Sequence, residues 1–278
     1  MTASDEQKLK AINLRQMHRG PKSLLLANVW DVASARIVEE AGFPAIATTS
    51  AGIAFSLGYP DGQRISREEM LARVGRIARA VKLPVTADVE AGYGNRPEDA
   101  AQTALGVIGA GAVGMNLEDG TGDRQNPVVE LSLQLDKIRA IREAALNTGI
   151  LLVLNARTDV YLDQVGPPDA RYFETVSRVR AYRDAGADCV FVPGLRDTQV
   201  IAQLVRDVQC PVNILAGPGS PSIPELEKLG VARVSLGSGP MRATLGMLRH
   251  LADELKTSGT YSAMDGAPSH AQVNALLG

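Results

Sequence analysis

The sequence predicts an α/β fold, a (β/α)8 barrel of the TIM type, and three observations carry that expectation. Short apolar, β-branched runs alternate with longer helical patterns through most of the 278 residues, and eight such units can be counted. Most of the runs are continuously apolar, as parallel strands buried on both faces must be. Four of the junctions, EEAGFP, GAGAVG, DAGADC and KLGVAR, set a glycine just past a helical stretch with an apolar run behind it, the pattern of a short turn closed by a left-handed cap. Eight alternations favour a closed barrel over an open doubly wound sheet, and a barrel of this kind occupies ~200 to 250 residues or more as one unit. Residues 1–278 therefore need only one domain.

The elements follow in order. Residues 1–22 read as a polar, amphipathic N-terminal helix. Strands are expected at Leu24 to Ala27, Ala45 to Thr49, Val85 to Val89, Val113 to Leu117, Ile150 to Ala156, Cys189 to Val192, Val212 to Ala216 and Arg233 to Leu236. Helices are expected at Val32 to Ala41, Ser66 to Val81, Pro97 to Ala110, Leu131 to Asn147, Asp169 to Ala185, Thr198 to Val208, Ile223 to Leu229 and Pro240 to Lys256. The stretch TTSAGIAFSLGYPDG after the second strand reads as a small-residue loop. The tail from Gly259 reads as a loose extension after the eighth helix that carries packing or association rather than chemistry.

Composition removes several function classes. Hydrophobic residues make up 45% and charged residues 22%, as in ordinary globular chains. Lys plus Arg number 29 against 31 Asp plus Glu, a net charge of -2, so no basic field exists to collect nucleic acid or anionic lipid. The N-terminus lacks the apolar core of a signal peptide, and no run approaches ~18 apolar residues, so no membrane segment is expected. The two cysteines, Cys189 and Cys210, form no CxxC pair, which excludes a structural zinc site and fits a reducing cytoplasm. No GxGxxG follows the first strand and no P-loop is present.

Barrel sites gather at the C-terminal ends of the strands, and there the polar residues concentrate. Strand three runs VTADVEAGYGN, placing Asp88 and Glu90 at its exit, two residues apart on one face of an extended chain. Strand four ends in Glu118 and Asp119, strand five in Arg157 and Asp159, and Asp61 follows strand two. Carboxylates from adjacent strands with no His or Cys beside them form an oxygen-only set suited to a hard cation, Mg2+ or Mn2+. Arg157 either neutralises these acids or grips a substrate carboxylate through its fork. Asp119 and Asp159 taken singly read as well as helix caps or solvated loop charges as they do as members of the site. Trp30 lines the mouth of the site or simply packs, and Asn213 on the seventh strand is counted among the substrate-binding residues. His18, His250 and His270 fall on the first helix, the last helix and the tail, where none can serve as a general base.

These motifs together resemble the isocitrate lyase and phosphoenolpyruvate mutase superfamily. The resemblance spans about Leu24 to Lys256 and rests on TTSAGIAFSLGYPDG, the DVEAGYGN run Asp88 to Asn95, the LED of Leu117 to Asp119, and Ala156 with Arg157. It implies a barrel whose eighth helix, here Pro240 to Lys256, is exchanged between subunits, usually in dimers of dimers, which would make residues 240–278 the packing segment of a homo-oligomer. It further implies that backbone N–H groups of Ser50, Ala51 and Gly52 hold a substrate carboxylate. Asp61, Asp88, Glu90 and Glu118 would form the Mg2+ site, partly through water and with Asp88 as direct ligand, and Arg157 would contact substrate. The chain departs from the C–C lyases of the group: their K-[KR]-C-G-H loop is replaced by GTGDRQNPVV, and the mutase loop D-K-x-x-P-K-x-N-S is also missing. Glu90 stands where many members have Asp.

Isocitrate or methylisocitrate cleavage needs a base and an acid that this loop does not supply. Decarboxylation needs no prior proton removal, only an electron sink. The expected activity is thus a metal-dependent lyase acting on a small 2-oxo dicarboxylate, oxaloacetate first, with the proton supplied by water or by a hydroxyl such as Tyr93, which reads equally well as a packing residue. The alternatives are C–C or P–C cleavage of another 2-oxo or 2-hydroxy acid, phosphoenolpyruvate mutation, and a silent 2-oxo acid binder.

Overall fold

The computed structural model describes residues 4–278, so the first three residues of the expected N-terminal helix lie outside the described residues. Helix α1 (Asp5–Met17) starts at Ser4, whose side chain accepts from the Gln7 N–H. Gln7 then donates its amide to the carbonyls of Ile108 and Ala112, and Arg15 pairs with Asp188, so α1 is strapped across one end of the barrel.

Nine parallel strand segments make the barrel: β1 (Leu24–Leu26), β2 (Asn28–Val29), β3 (Ile46–Thr48), β4 (Val85–Asp88), β5 (Gly114–Glu118), β6 (Val153–Arg157), β7 (Cys189–Phe191), β8 (Val212–Leu215) and β9 (Arg233–Ser235). The order runs β1-β9-β8-β7-β6-β5-β4-β3-β2, and β1 and β2 are consecutive in the chain, which closes the ring. The expected first strand is therefore divided at Ala27. Its first half pairs with β9 and its second half with β3, because barrel shear carries one strand past two neighbours. Asn28 seals the seam, accepting from the N–H groups of Leu236 and Gly237 and donating to the Thr48 carbonyl.

The remaining helices are α2 (Val32–Glu40), α3 (Ser50–Ser56), α4 (Arg67–Ala80), α5 (Pro97–Gly109), α6 (Leu131–Leu146), α7 (Arg171–Ala185), α8 (Thr198–Val208), α9 (Ile223–Lys228), α10 (Gly239–Thr257) and α11 (His270–Leu277). Three differences from the sequence reading have local causes. The expected fifth strand starts at Val153 rather than Ile150, because the Leu152 N–H turns back to the Ile150 carbonyl before the ladder begins. The small-residue stretch after β3 is helix α3, nucleated by the Thr49 hydroxyl accepting from Gly52 N–H. The loose tail ends in α11, started by a reciprocal Ser269–Gln272 capping box and packed on α2. Helix α10 buries only Met241, leaving Leu245, Met247, Leu248 and Leu255 exposed. No helix among the described residues is long and apolar enough to cross a membrane.

Candidate active site

Register decides which side chains meet. Asp88 pairs with Asn116 and Asn116 with Asn155, so three polar residues from β4, β5 and β6 stand at matching positions on adjacent strands. Asn155 donates its amide to Asn116 Oδ1 at 2.8 Å, and Asn116 donates to Asp88 Oδ1 at 3.3 Å. The buried Arg233 also reaches Asn116 Oδ1, which fixes the amide with its donor toward Asp88. The other oxygen of Asp88 accepts from the Ser50 N–H at 2.9 Å and the Ser50 hydroxyl at 2.8 Å. Gly52 must be glycine for α3 to come this close, since a Cβ there would lie 2.5 Å from Thr49 Cγ2 and 3.2 Å from Trp30 Cβ.

Beyond β4 the chain turns sharply. Glu90 and Tyr93 have φ of 52° and 57°, left-handed values that cost a non-glycine residue about 1 kcal/mol or more each, with Gly92 and Gly94 also positive. The turn aims the Glu90 carboxylate at the Gln63 N–H and the Tyr93 hydroxyl, which donates to it at 3.2 Å. Tyr93 N–H returns to the Gln63 side chain at 2.7 Å, so this loop and the Asp61 loop brace each other.

Glu118 and Arg157 face each other across β5 and β6, with Arg157 Nη1 2.6 Å from Glu118 Oε2. The same guanidinium holds Asp159 through Nε at 2.6 Å and Nη2 at 3.1 Å, and it lies 5.8 Å from the Phe191 ring centroid. Asp119 builds the floor beneath them. It is fully buried and accepts from Asp159 N–H, the Thr158 and Tyr182 hydroxyls, and Arg178. Asp119 is thus a structural hub, and Asp159 is part of the Arg157 clamp.

Asp61, Asp88, Glu118 and Asp159 lie around one guanidinium, with Glu90 beside Asp88 and Asp61, and burial together with the excess of acid raises Glu90, Asp61 and Glu118. Burial, and then Asp88, push Glu90 up to about 7. Burial and Asp88 likewise raise Asp61. Glu118 is raised well above the usual carboxylate range by burial; Arg157 opposes this, and Asp159, Asp88 and Glu90 reinforce it. Burial, then Glu90, raise Tyr93, so its hydroxyl keeps its proton. Burial works against the Arg157 charge, but Glu118 and Asp159 outweigh it and its pKa rises. A divalent cation would relieve this repulsion. No three of the acids converge as a ready-made ligand set among the described residues. The donor set is oxygen-only and carries excess negative charge, which is the chemistry a hard cation such as Mg2+ takes, through one or two carboxylates directly and the rest through water.

A cavity of about 180 Å3 opens over this group, lined by Asn28, Ser50, Ala51, Asp61, Asp88, Asn116, Arg157, Phe191 and Ser235 among others. The structure thus brings Asp61, Asp88, Arg157, Ser50 and Ala51 to one cavity, with Glu118 and Glu90 joined to it through Arg157 and the Gln63 loop. Ser50 N–H is engaged by Asp88 and Gly52 N–H by Thr49. Trp30 lines a separate cavity with Asp31, Arg73, Arg76 and Leu277. Asn213 is buried inside the ring, bonded to Ser235. Sequence reasoning did not single out Asn28, Asn116, Asn155 or Ser235. The available signal was a polar residue interrupting each apolar strand, as in LLLANVW and VGMNLED. Residues 120–129 fold as a small hairpin, with a Gly120–Val128 bridge and Val129 N–H bonded to Asp119.

The phosphoenolpyruvate phosphomutase family model matches residues 14–256, which contain every site residue above. The chain belongs to that family. Within the wider isocitrate lyase and phosphoenolpyruvate mutase superfamily, the chain is 37% identical over 242 residues to an uncharacterised Mycobacterium tuberculosis protein, covering 87% of this chain and 88% of that one. A crystal structure of a candidate lyase/mutase from Burkholderia cenocepacia superposes with a TM-score of 0.92 at 38% identity, covering 98% of this chain and 96% of that one. Oxaloacetate decarboxylase 1 of Pseudomonas fluorescens is 27% identical, with 98% of this chain and 94% of the relative covered. The phosphomutase family match extends beyond the barrel strands into α10, which ends at Thr257.

Proposed function

We propose that this chain is a Mg2+- or Mn2+-dependent lyase acting on a small 2-oxo dicarboxylate, with oxaloacetate decarboxylation as the leading reaction. The observation that carries the reading is the cavity at the C-terminal strand ends, where Asp88 is held by Ser50 and Asn116 beside an Arg157 clamped by two acids. Likeness to oxaloacetate decarboxylase 1 is in keeping with that substrate, and the choice over cleavage or mutation of other acids rests on the 120–129 segment, which carries neither the lyase nor the mutase loop motif. Asp88 would hold the cation directly, with Asp61, Glu90 and Glu118 acting partly through water. Held there, the cation would supply Lewis acidity, an electron sink for a 2-oxo acid.

The chain's own residues bind, orient and hold protons. Arg157 offers positive charge at the cavity wall and is kept from swinging by its bonds to Glu118 and Asp159. Ala51 N–H sits at the second position of α3, where a helix leaves its donor unbonded, and it lines the cavity for a carboxylate oxygen. Tyr93 Oη keeps a proton against Glu90 Oε1, which places a proton store within the acid group. Leu162 and Phe191 add apolar wall that limits water. The exposed apolar face of α10 supports a homo-oligomer in which this helix packs on a second copy.

Purified protein offered oxaloacetate, phosphonopyruvate and alkylated malates in parallel tests the reading. It predicts pyruvate and CO2 from oxaloacetate as the preferred turnover. Oxalate plus acetate would move the assignment to hydrolysis. No turnover with a raised Tm in 2-oxo acids would make the protein a binder.

A further inference from the structure

We propose that Lys137, on the outer helix α6, is a positioning residue for the acid site: its buried ammonium holds the left-handed loop that presents Glu90 and Tyr93. The inference rests on the proposed metal-binding role of the acid group. Lys137 is 2% exposed, yet its Nζ has no carboxylate within ion-pair distance among the described residues. Its bonds go to two backbone carbonyls of one short segment, Ala91 at 3.2 Å and Gly94 at 2.9 Å. Those carbonyls flank Gly92 and Tyr93 and follow Glu90 directly, so the ammonium grips the segment in which four of five residues, Glu90, Gly92, Tyr93 and Gly94, have positive φ. A third bond, from the Thr103 hydroxyl to the Gly92 carbonyl at 2.7 Å, anchors the middle of the same turn from α5.

Burying an ammonium against neutral carbonyls is unfavourable compared with an apolar side chain of the same length. Packing alone would be served by methionine. What the lysine adds is two strong donors, to carbonyls that a left-handed turn directs away from any strand partner. Without them the turn keeps its bonds to Thr103, Gln63 and Glu118 but loses both charged anchors on the Ala91 and Gly94 carbonyls, and Glu90 is held less firmly opposite the Gln63 N–H. Lys137 touches neither the cavity nor the acids, so it acts only through the loop.

The test uses the full-length protein and Mn2+ as probe, read by electron paramagnetic resonance, with hydrogen exchange followed in the 89–95 segment. Lys137→Met is expected to weaken Mn2+ binding by up to about 10-fold, the lower end of the loss seen when a group bonded directly to a metal ligand is removed, since Lys137 acts one step further out through the loop backbone. Exchange should rise in 89–95 and stay unchanged in the β5 and β6 strands. Wild-type Mn2+ affinity in this variant overturns the proposal, and so does weakened binding accompanied by exchange that rises uniformly over the barrel. If Lys137→Met does not fold, Thr103→Val removes the other anchor, and the same pair of readings decides. Should wild-type protein bind no Mn2+, the metal reading of the site fails. Exchange in 89–95 then tests the anchoring by itself, and protection unchanged by either variant overturns it.

Discussion

Glu90→Gln should stabilise the metal-free protein at pH 8 and leave its stability nearly unchanged at pH 4.5. Burial and Asp88 raise the folded-state Glu90 carboxyl to about 7 from an ordinary 4.5. Below 4.5 the group is protonated in both folded and unfolded chains and contributes nothing. Between 4.5 and 7 the folded chain binds more protons than the unfolded one, so stability falls as pH rises. Above 7 both are ionised and the full cost is present, about 3 kcal/mol at 1.36 kcal/mol per tenfold in the proton equilibrium. Residual access of water to the carboxylate brings the expected gain nearer about 2 kcal/mol. The assay is urea unfolding of wild type and Glu90→Gln in EDTA at both pH values, since the difference of differences cancels pH-independent packing changes. Saturating Mg2+ at pH 8 should abolish or reverse the gain, because the wild-type carboxylate then has its counter-charge. An equal difference at both pH values would refute the argument that Glu90 is held up by its site.

Asp88→Ala should abolish metal-dependent turnover with the fold retained, read by initial rates beside circular dichroism; an unchanged rate would remove the acid group from the mechanism. Tyr182→Phe takes one of four donors from buried Asp119 and should cost about 1 to 3 kcal/mol in urea unfolding. A cost near zero would show that the floor beneath Arg157 is not built as described. Leu245→Asp with Leu248→Asp on α10 should lower the assembled mass in light scattering without unfolding the barrel, and an unchanged mass would take α10 out of the interface.

Much of the barrel was legible because parallel strands and their caps leave local marks. The apolar runs ending in Asp88, Glu118 and Arg157 needed no tertiary information to be placed at strand exits. The split of the first strand at Ala27 was hidden because shear is a property of the closed ring. Helix α3 was hidden because Ser, Ala and Gly carry little helical patterning, although Thr49 three residues before Gly52 was an available cap signal. In the site, residue types placed the acids, but spacing could not assign partners. Whether Arg157 neutralised acids or awaited a ligand was open. The structure gives its fork to Asp159 and its remaining nitrogen to Glu118. Asp119, adjacent to Glu118, turns to the opposite side of the strand and becomes floor, a difference fixed by β alternation and by the donors of α7.

The most direct test of the central claim is the initial rate of oxaloacetate loss by purified protein, titrated with Mg2+, then with excess EDTA, against a metal-only blank. The account predicts saturable turnover well above the blank, with pyruvate as product, that EDTA removes and fresh Mg2+ restores. Turnover that persists unchanged in EDTA would contradict a cation held by Asp88 and its neighbouring carboxylates.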